Sequence, residues 1–155
     1  MPAERPSCRV VPEVAIMPNF RQIYDGIAVA YLGRGLARRD GLSEAVIARA
    51  EKLLGVRLPE ALREYYACAG NASGLNEAHN HFRNPRDLYF EGEYLMFMDE
   101  NQAVVSWGIK RADLGEADPV VWQRNNTPPE EWYSEEKSFT ELMASMFEWY
   151  KSEGI

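Results

Sequence analysis

Residues 42–70 read L-S-E-A-V-I-A-R-A-E-K-L-L-G-V-R-L-P-E-A-L-R-E-Y-Y-A-C-A-G. Ser43 is placed to cap a helix, and Glu44 follows in the first turn, where the helix dipole favours a negative charge. Val46, Ala50, Leu53 and Leu54 fall at offsets 0, 4, 7 and 8, which predicts them as one apolar face. Gly55 ends the helix, because glycine adopts the left-handed closing conformation at least cost. Leu58-Pro59 then restarts the chain, with proline suited to a first helical position where no N–H is needed. Leu62, Tyr65, Tyr66 and Ala69 lie at offsets 0, 3, 4 and 7, and Gly70-Asn71 closes this second helix.

Toward the N-terminus, Phe20, Ile23, Tyr24, Ile27 and Tyr31 share a helical face at offsets 0, 3, 4, 7 and 11. Gly33, Gly35 and Gly41 break the chain after it. Residues 17–41 are therefore expected to form an N-terminal helical extension. Residues 1–16, with Pro2, Pro6 and Pro12, are expected to be a disordered or non-native start, and Met17 is a candidate translation start.

Toward the C-terminus the character changes. Residues 71–93 are polar and irregular and predict a long loop with room for a short helical turn. Strands are expected at Tyr94–Met98, Ala103–Ile109, Pro119–Gln123 and around Trp132-Tyr133. Asp99-Glu100-Asn101 and Asp113–Asp118 separate them as turns. Ser138-Phe139-Thr140-Glu141 spells a capping box. Phe139, Leu142, Met143, Met146, Trp149 and Tyr150 follow at offsets 0, 3, 4, 7, 10 and 11, an amphipathic final helix. Helices, then strands, then a helix predict an α+β domain rather than alternating βαβ units.

At 155 residues the chain is one domain, large enough to need no disulfide or metal staple. Its formal net charge of -7 argues against a non-specific nucleic-acid binder, whose affinity comes from excess Lys and Arg. The charge is uneven. Residues 1–86 carry 12 basic and 9 acidic side chains, whereas residues 87–155 carry 5 basic and 15 acidic. Cys8 and Cys68 form no metal pattern, and Cys68 reads as a small buried hydrophobe; this usage predicts a cytoplasmic protein. The most apolar run, Ile27–Leu32, is six residues, too short for a membrane span.

Catalytic patterns are absent. His79-Asn80-His81 holds the only two histidines, with no cysteine nearby, and reads as a polar surface loop. Asp99-Glu100, Glu130-Glu131 and Glu135-Glu136 are adjacent pairs, and neighbours on a strand point to opposite faces, so none forms an acid–base dyad by itself. No G-K-[ST] phosphate loop, G-x-S-x-G or H-E-x-x-H occurs. No catalytic residue, metal or cofactor is expected, and the protein is expected not to be an enzyme. Trp107, Trp122, Trp132 and Trp149 all lie in the acidic part. They are expected to build a core between the sheet and the last helix, although aromatic anchors mixed with carboxylates also suit an interface for a basic partner.

Leu42–Gly70 resembles the opening of the SUKH superfamily, where a helix ending in Glu-x-x-Leu-Gly leads to Leu-Pro and a second helix. Phe97–Ile109, with Glu100-Asn101-Gln102 and Trp107-Gly108, is similar to the family's central strands. Asp118-Pro119-Val120 resembles its acidic turn before the next strand, and the aromatic last helix also fits. The match covers about residues 42–151, within an expected domain of 42–155; Gly70-Asn71-Ala72 departs from the usual Asn-Gly-Gly. The resemblance implies a central, mostly antiparallel or mixed sheet with a C-terminal helix packed on it. It also implies that Leu58, Pro59, Gly70, Asn101, Gln102, Trp107 and Pro119 are mainly structural.

Bacterial members of the superfamily resemble immunity proteins that neutralise toxins, often nucleases or deaminases; fungal relatives are regulatory scaffolds. The expected function is therefore a non-enzymatic, immunity-type protein that binds a basic toxin domain. A regulatory adaptor for a cellular protein is the alternative. The expected partner face draws on Glu91, Glu93, Asp99, Glu100, Asp113, Glu116 and Asp118. Neither nucleic acid nor membrane is expected as a partner.

Overall fold

A computed structural model describes residues 19–155 of the chain, so the expectations for residues 1–16, Cys8 and Met17 lie outside the described residues. Helix α1 spans Phe20–Leu32. The Asn19 side chain caps it by accepting the Gln22 N–H at 3.1 Å, and Gly33 closes it at φ 75°. Phe20, Tyr24 and Ala28 are buried, with Ile23, Ile27 and Tyr31 packed beside them, as the spacing predicts.

Helix α2, Glu44–Leu54, is capped by Ser43 and closed by Gly55 at φ 71°. Its buried face differs from the expected one. Ile47 and Ala50 are buried, while Val46 is 41% exposed and Leu53 is 76% exposed. The helix touches α3 (Glu60–Ala69) and the Pro85–Asp87 turn only along a narrow strip, and Ile47, Ala50 and Leu54 supply it. The Glu-x-x-Leu-Gly…Leu-Pro spacing acquires a physical reason here. The Glu51 carboxylate accepts the Leu58 N–H at 2.8 Å and the Arg63 Nε at 3.0 Å, so it ties the end of α2 to the start of α3. Helix α3 buries Leu62, Tyr65, Tyr66 and Ala69 as expected, and Cys68 with them. Burial pushes the Cys68 thiol up to about 11.

The segment expected as a loop contains four short elements: α4 (Ser73–Asn76), β1 (His81–Phe82), the 3-10 turn Pro85–Asp87 and β2 (Tyr89–Glu91). Both strands are held by pairing with β3 (Tyr94–Asp99), His81 opposite Asp99 and Tyr89 opposite Met96. Strands β4 (Val105–Lys110), β5 (Val120–Asn125) and β6 (Glu131–Ser138) complete a six-stranded sheet, ordered β1-β3-β4-β5-β6 with β2 also on β3. Every pairing is antiparallel. Helix α5, Phe139–Ser152, packs on this sheet. The molecule is therefore α+β, with helices before the sheet and one after it.

One sheet face carries Leu95, Phe97, Trp107, Ile109 and Val121 into a core shared with α1, α3 and α5. A bulge between Met96 and Met98 in β3 lets Phe97 and Met98 both join that core. Aromatic rings in this core meet edge-on or tilted, as in Tyr24–Tyr65 at 5.2 Å and Phe97–Phe139 at 5.4 Å. The buried phenols keep partners: Tyr66 donates to the Arg83 carbonyl at 2.6 Å, and Tyr65 to Asn76 Oδ1 at 2.6 Å.

The other sheet face is covered by its own side chains. Tyr94 stacks on Trp132 at 3.6 Å, and Lys110 sits 4.1 Å over Trp122. Beneath them Met96 is fully buried. Gly108 has no room for a side chain, because a Cβ there would lie 2.9 Å from Met96 Sδ and 3.0 Å from the Leu95 carbonyl oxygen. Three of the four tryptophans are thus consumed in packing: Trp107 toward the helices, and Trp122 and Trp132 on the far face.

Candidate functional site

The seven expected partner-facing carboxylates do not converge. The end of β2 carries Glu91 and the β2–β3 turn Glu93, and the β4–β5 connection carries Asp113, Glu116 and Asp118. Register places both at one end of the sheet, since Tyr94 opposes Lys110 and Ile109 opposes Val121. Asp99 and Glu100 lie at the opposite end of β3, roughly 17 Å away at about 3.3 Å per residue.

At the first end, two of the five carboxylates are engaged. Glu91 pairs with Arg124 at 3.3 Å. Asp118 accepts the Thr140 backbone N–H at 3.0 Å and also the Thr140 hydroxyl, which pins the acidic turn to the start of α5. Ser138 accepts the Glu141 N–H at 3.3 Å, so Asp118 satisfies a further free N–H of that helix start. Glu93, Asp113 and Glu116 make no ion pair among the described residues, and Glu93 and Glu116 are exposed. Beside them lies a surface hollow of about 470 Å³, lined by Leu58, Pro59, Glu60, Glu116, Arg57 and Arg111 among others. Its lining charge is mixed.

At the second end, Asp99 is held inside the sheet by Arg83 at 2.6 Å and by the Ser106 hydroxyl at 2.7 Å. Glu100 caps the β3–β4 turn, accepting the Val104 N–H at 3.1 Å, and Asn101 and Gln102 are exposed in that turn. Glu100 also opens onto a cleft of about 380 Å³ between α5 and strands β4 and β6. Trp107 lines the cleft, and its indole N–H donates to Glu135 Oε1 at 3.0 Å. An irregularity in β5–β6 pairing, with Glu136 at φ 54°, accompanies this placement of Glu135. Trp149, expected on the buried face of the last helix, is 50% exposed and lines the cleft as well.

His79 lines the same cleft, its ring 5.8 Å from Trp149 and 5.5 Å from Tyr150. His81 is exposed on β1. Among the described residues, no three His, Cys, Asp or Glu side chains converge as a metal-ligand group. Of the motif residues, Leu58, Pro59, Trp107 and Pro119 are buried. Gly70 is closed in, since a Cβ there would meet Leu42 Cδ1 and the Tyr66 carbonyl at 2.6 Å. Sequence reasoning did not single out Glu135, Trp149 and Asn80 as neighbours. Nothing local signals it, because Asn80 and Trp149 are joined only through the packing of α5 on the loop before β1.

Among the described residues, Asp40 is the one buried carboxylate of the helical half. The Arg34 guanidinium and the Ala37 N–H hold its carboxyl down at about 2. Its role is to fasten the chain between α1 and α2. No described helix is long and apolar enough to cross a membrane.

A family model, the SMI1 / KNR4 family (SUKH-1), matches residues 41–145. No curated protein and no solved structure matches the chain.

Proposed function

The chain belongs to the SMI1 / KNR4 family (SUKH-1), and on that premise we propose that it is an immunity-type protein that neutralises a cognate toxin domain by binding it. Proteins of this family are generally non-catalytic immunity or regulatory proteins. The toxin domain is basic in this reading, of the kind that holds a phosphate backbone. The observation that carries the reading is the set of carboxylates that make no ion pair among the described residues, Glu93, Asp113 and Glu116, gathered at one end of the sheet in a chain of net charge -7. Carboxylates of this kind steer a basic partner into encounter and reject partners of like charge. The protein acts in the cytoplasm, where the toxin would strike.

The test is the salt dependence of association. Stopped-flow mixing with its cognate toxin domain should give an association rate that falls at least about tenfold between about 0.05 and 0.5 M salt. Replacing Glu93 and Glu116 by Gln should slow association and leave dissociation largely unchanged. Equal rates at low and high salt contradict a steering role for this surface. A partner drawn instead from the host's own machinery selects the regulatory-adaptor reading.

A further inference from the structure

We propose that the cleft between α5 and strands β4 and β6 receives an arginine side chain presented by the partner protein. The proposal rests on the reading of this protein as one that binds a basic protein, and it names the chemistry of one contact.

Asn80 lines the cleft and is only 7% exposed. Its backbone N–H donates to Tyr150 Oη at 3.2 Å, and its side-chain Nδ2 lies 3.4 Å from Met146 Sδ. Its Oδ1 has no hydrogen-bond partner among the described residues. A buried acceptor left this way is unfavourable, so a donor arriving from a partner gains what the free protein forgoes. Two carboxylates stand in the same cleft with one oxygen each already used. Glu135 spends Oε1 on the Trp107 indole, and Glu100 spends Oε2 on the Val104 N–H. Glu135 Oε2 and Glu100 Oε1 accept no hydrogen bond among the described residues and remain available as acceptors. Trp149 adds a half-exposed aromatic ring at the rim.

A guanidinium fits this set better than other groups do. It brings five N–H donors in a fixed plane, stays charged at any working pH, and stacks on an indole while its edge donates to carboxylates. A lysine ammonium has three donors and no plane to lay on Trp149. An anion is disfavoured, because the cleft holds two carboxylates against one cation, Lys137. Met146, a flexible side chain, closes on the Asn80 amide in the free protein and must shift for a donor to reach Oδ1.

The experiment titrates the full ¹⁵N-labelled chain with N-acetyl-arginine amide and with N-acetyl-citrulline amide, which has nearly the same shape and no charge. The expected result is saturable movement of the Trp107 and Trp149 indole N–H signals and the Asn80 side-chain amide with the arginine probe, and binding at least about tenfold weaker with citrulline. Glu100→Gln with Glu135→Gln should weaken arginine binding by about tenfold as well. Glutamine keeps an acceptor for Trp107 and Val104, so this variant should fold. Trp149→Ala, at a half-exposed ring, provides a second variant that leaves both carboxylates in place and should also weaken the probe.

Equal response to arginine and citrulline, or movement confined to the Glu93–Glu116 end, overturns the proposal. So does an unchanged affinity in both variants. The probe needs no partner protein, which separates the two readings. Arginine binding without toxin binding supports the cleft and removes the toxin. Toxin binding with a cleft indifferent to arginine removes the cleft alone.

Discussion

Gly41→Ala is expected to destabilise the fold by about 3–5 kcal/mol. The cause is space rather than backbone conformation, since Gly41 has an ordinary extended φ of -92°. A Cβ at this position would lie 1.9 Å from the Ala67 carbonyl oxygen and 3.0 Å from its carbon. Neither is the far end of a flexible side chain, so no rotamer change relieves the clash. The segment also cannot back away freely. On one side the Asn71 N–H donates to the Asp40 carbonyl at 2.8 Å, and on the other the Leu42 N–H donates to the Tyr66 carbonyl at 2.9 Å. Relief therefore breaks the seam between the loop before α2 and the end of α3. The melting temperature should fall on the order of 10 °C. Gly26→Ala is the control. It lies exposed in α1 with nothing within 4 Å of its Cβ, and alanine there should be neutral or stabilising by up to about 1 kcal/mol. Urea unfolding of the pair checks both. A Gly41→Ala protein within about 0.5 kcal/mol of the parent would show that the seam yields.

Tyr65→Ala is expected to cost about 3–5 kcal/mol, the range for emptying a buried aromatic site. Tyr65 joins the helical layer to the sheet. Its ring meets Tyr24 of α1 at 5.2 Å, Phe82 of β1 at 4.5 Å and Phe139 of α5 at 6.0 Å. Its hydroxyl donates to Asn76 Oδ1, and the Asn76 amide in turn donates to the Ala69 carbonyl at 2.8 Å. Burial pushes the phenol well above its ordinary pKa, so it stays a neutral donor at any working pH. Tyr65→Phe separates the two contributions. It keeps the ring and strands a buried acceptor, at a cost of about 1–3 kcal/mol. Denaturant midpoints that rank parent, then Phe, then Ala support this division. An alanine variant no worse than phenylalanine would show that packing at this site contributes little.

The parts of the fold legible in the sequence are those fixed by one long local pattern. Helices α1, α3 and α5 each keep an apolar stripe over several turns, and Gly33, Gly55 and Ser43 mark ends that the structure uses. Helix α2 was readable as a helix but not in its facing. Val46 and Ile47 point about 100° apart around the axis, and the packing against α3 and the Pro85–Asp87 turn selects Ile47. Strands β1 and β2 escaped notice for a different reason. At two and three residues they are too short to show alternation, and they exist because β3 offers an edge to pair with.

The candidate site was less legible than the fold. Charge can be counted along a chain, but pairing cannot. Asp99, Glu91 and Asp118 read as acidic letters like Glu93 and Glu116, yet the first is bound to Arg83, the second to Arg124 and the third to Thr140. Trp149 fits the helical stripe of α5 and still stands half in solvent, at the rim of the cleft. The cleft it borders joins residues from the loop before β1, strands β4 and β6, and α5, a juxtaposition set by topology alone.

The claim that this protein is an immunity-type inhibitor is tested most directly by titrating it into its cognate toxin domain and reading toxin activity. Activity should fall linearly and vanish at about one equivalent, as expected for a tight stoichiometric complex. Full toxin activity with this protein in large excess would contradict it.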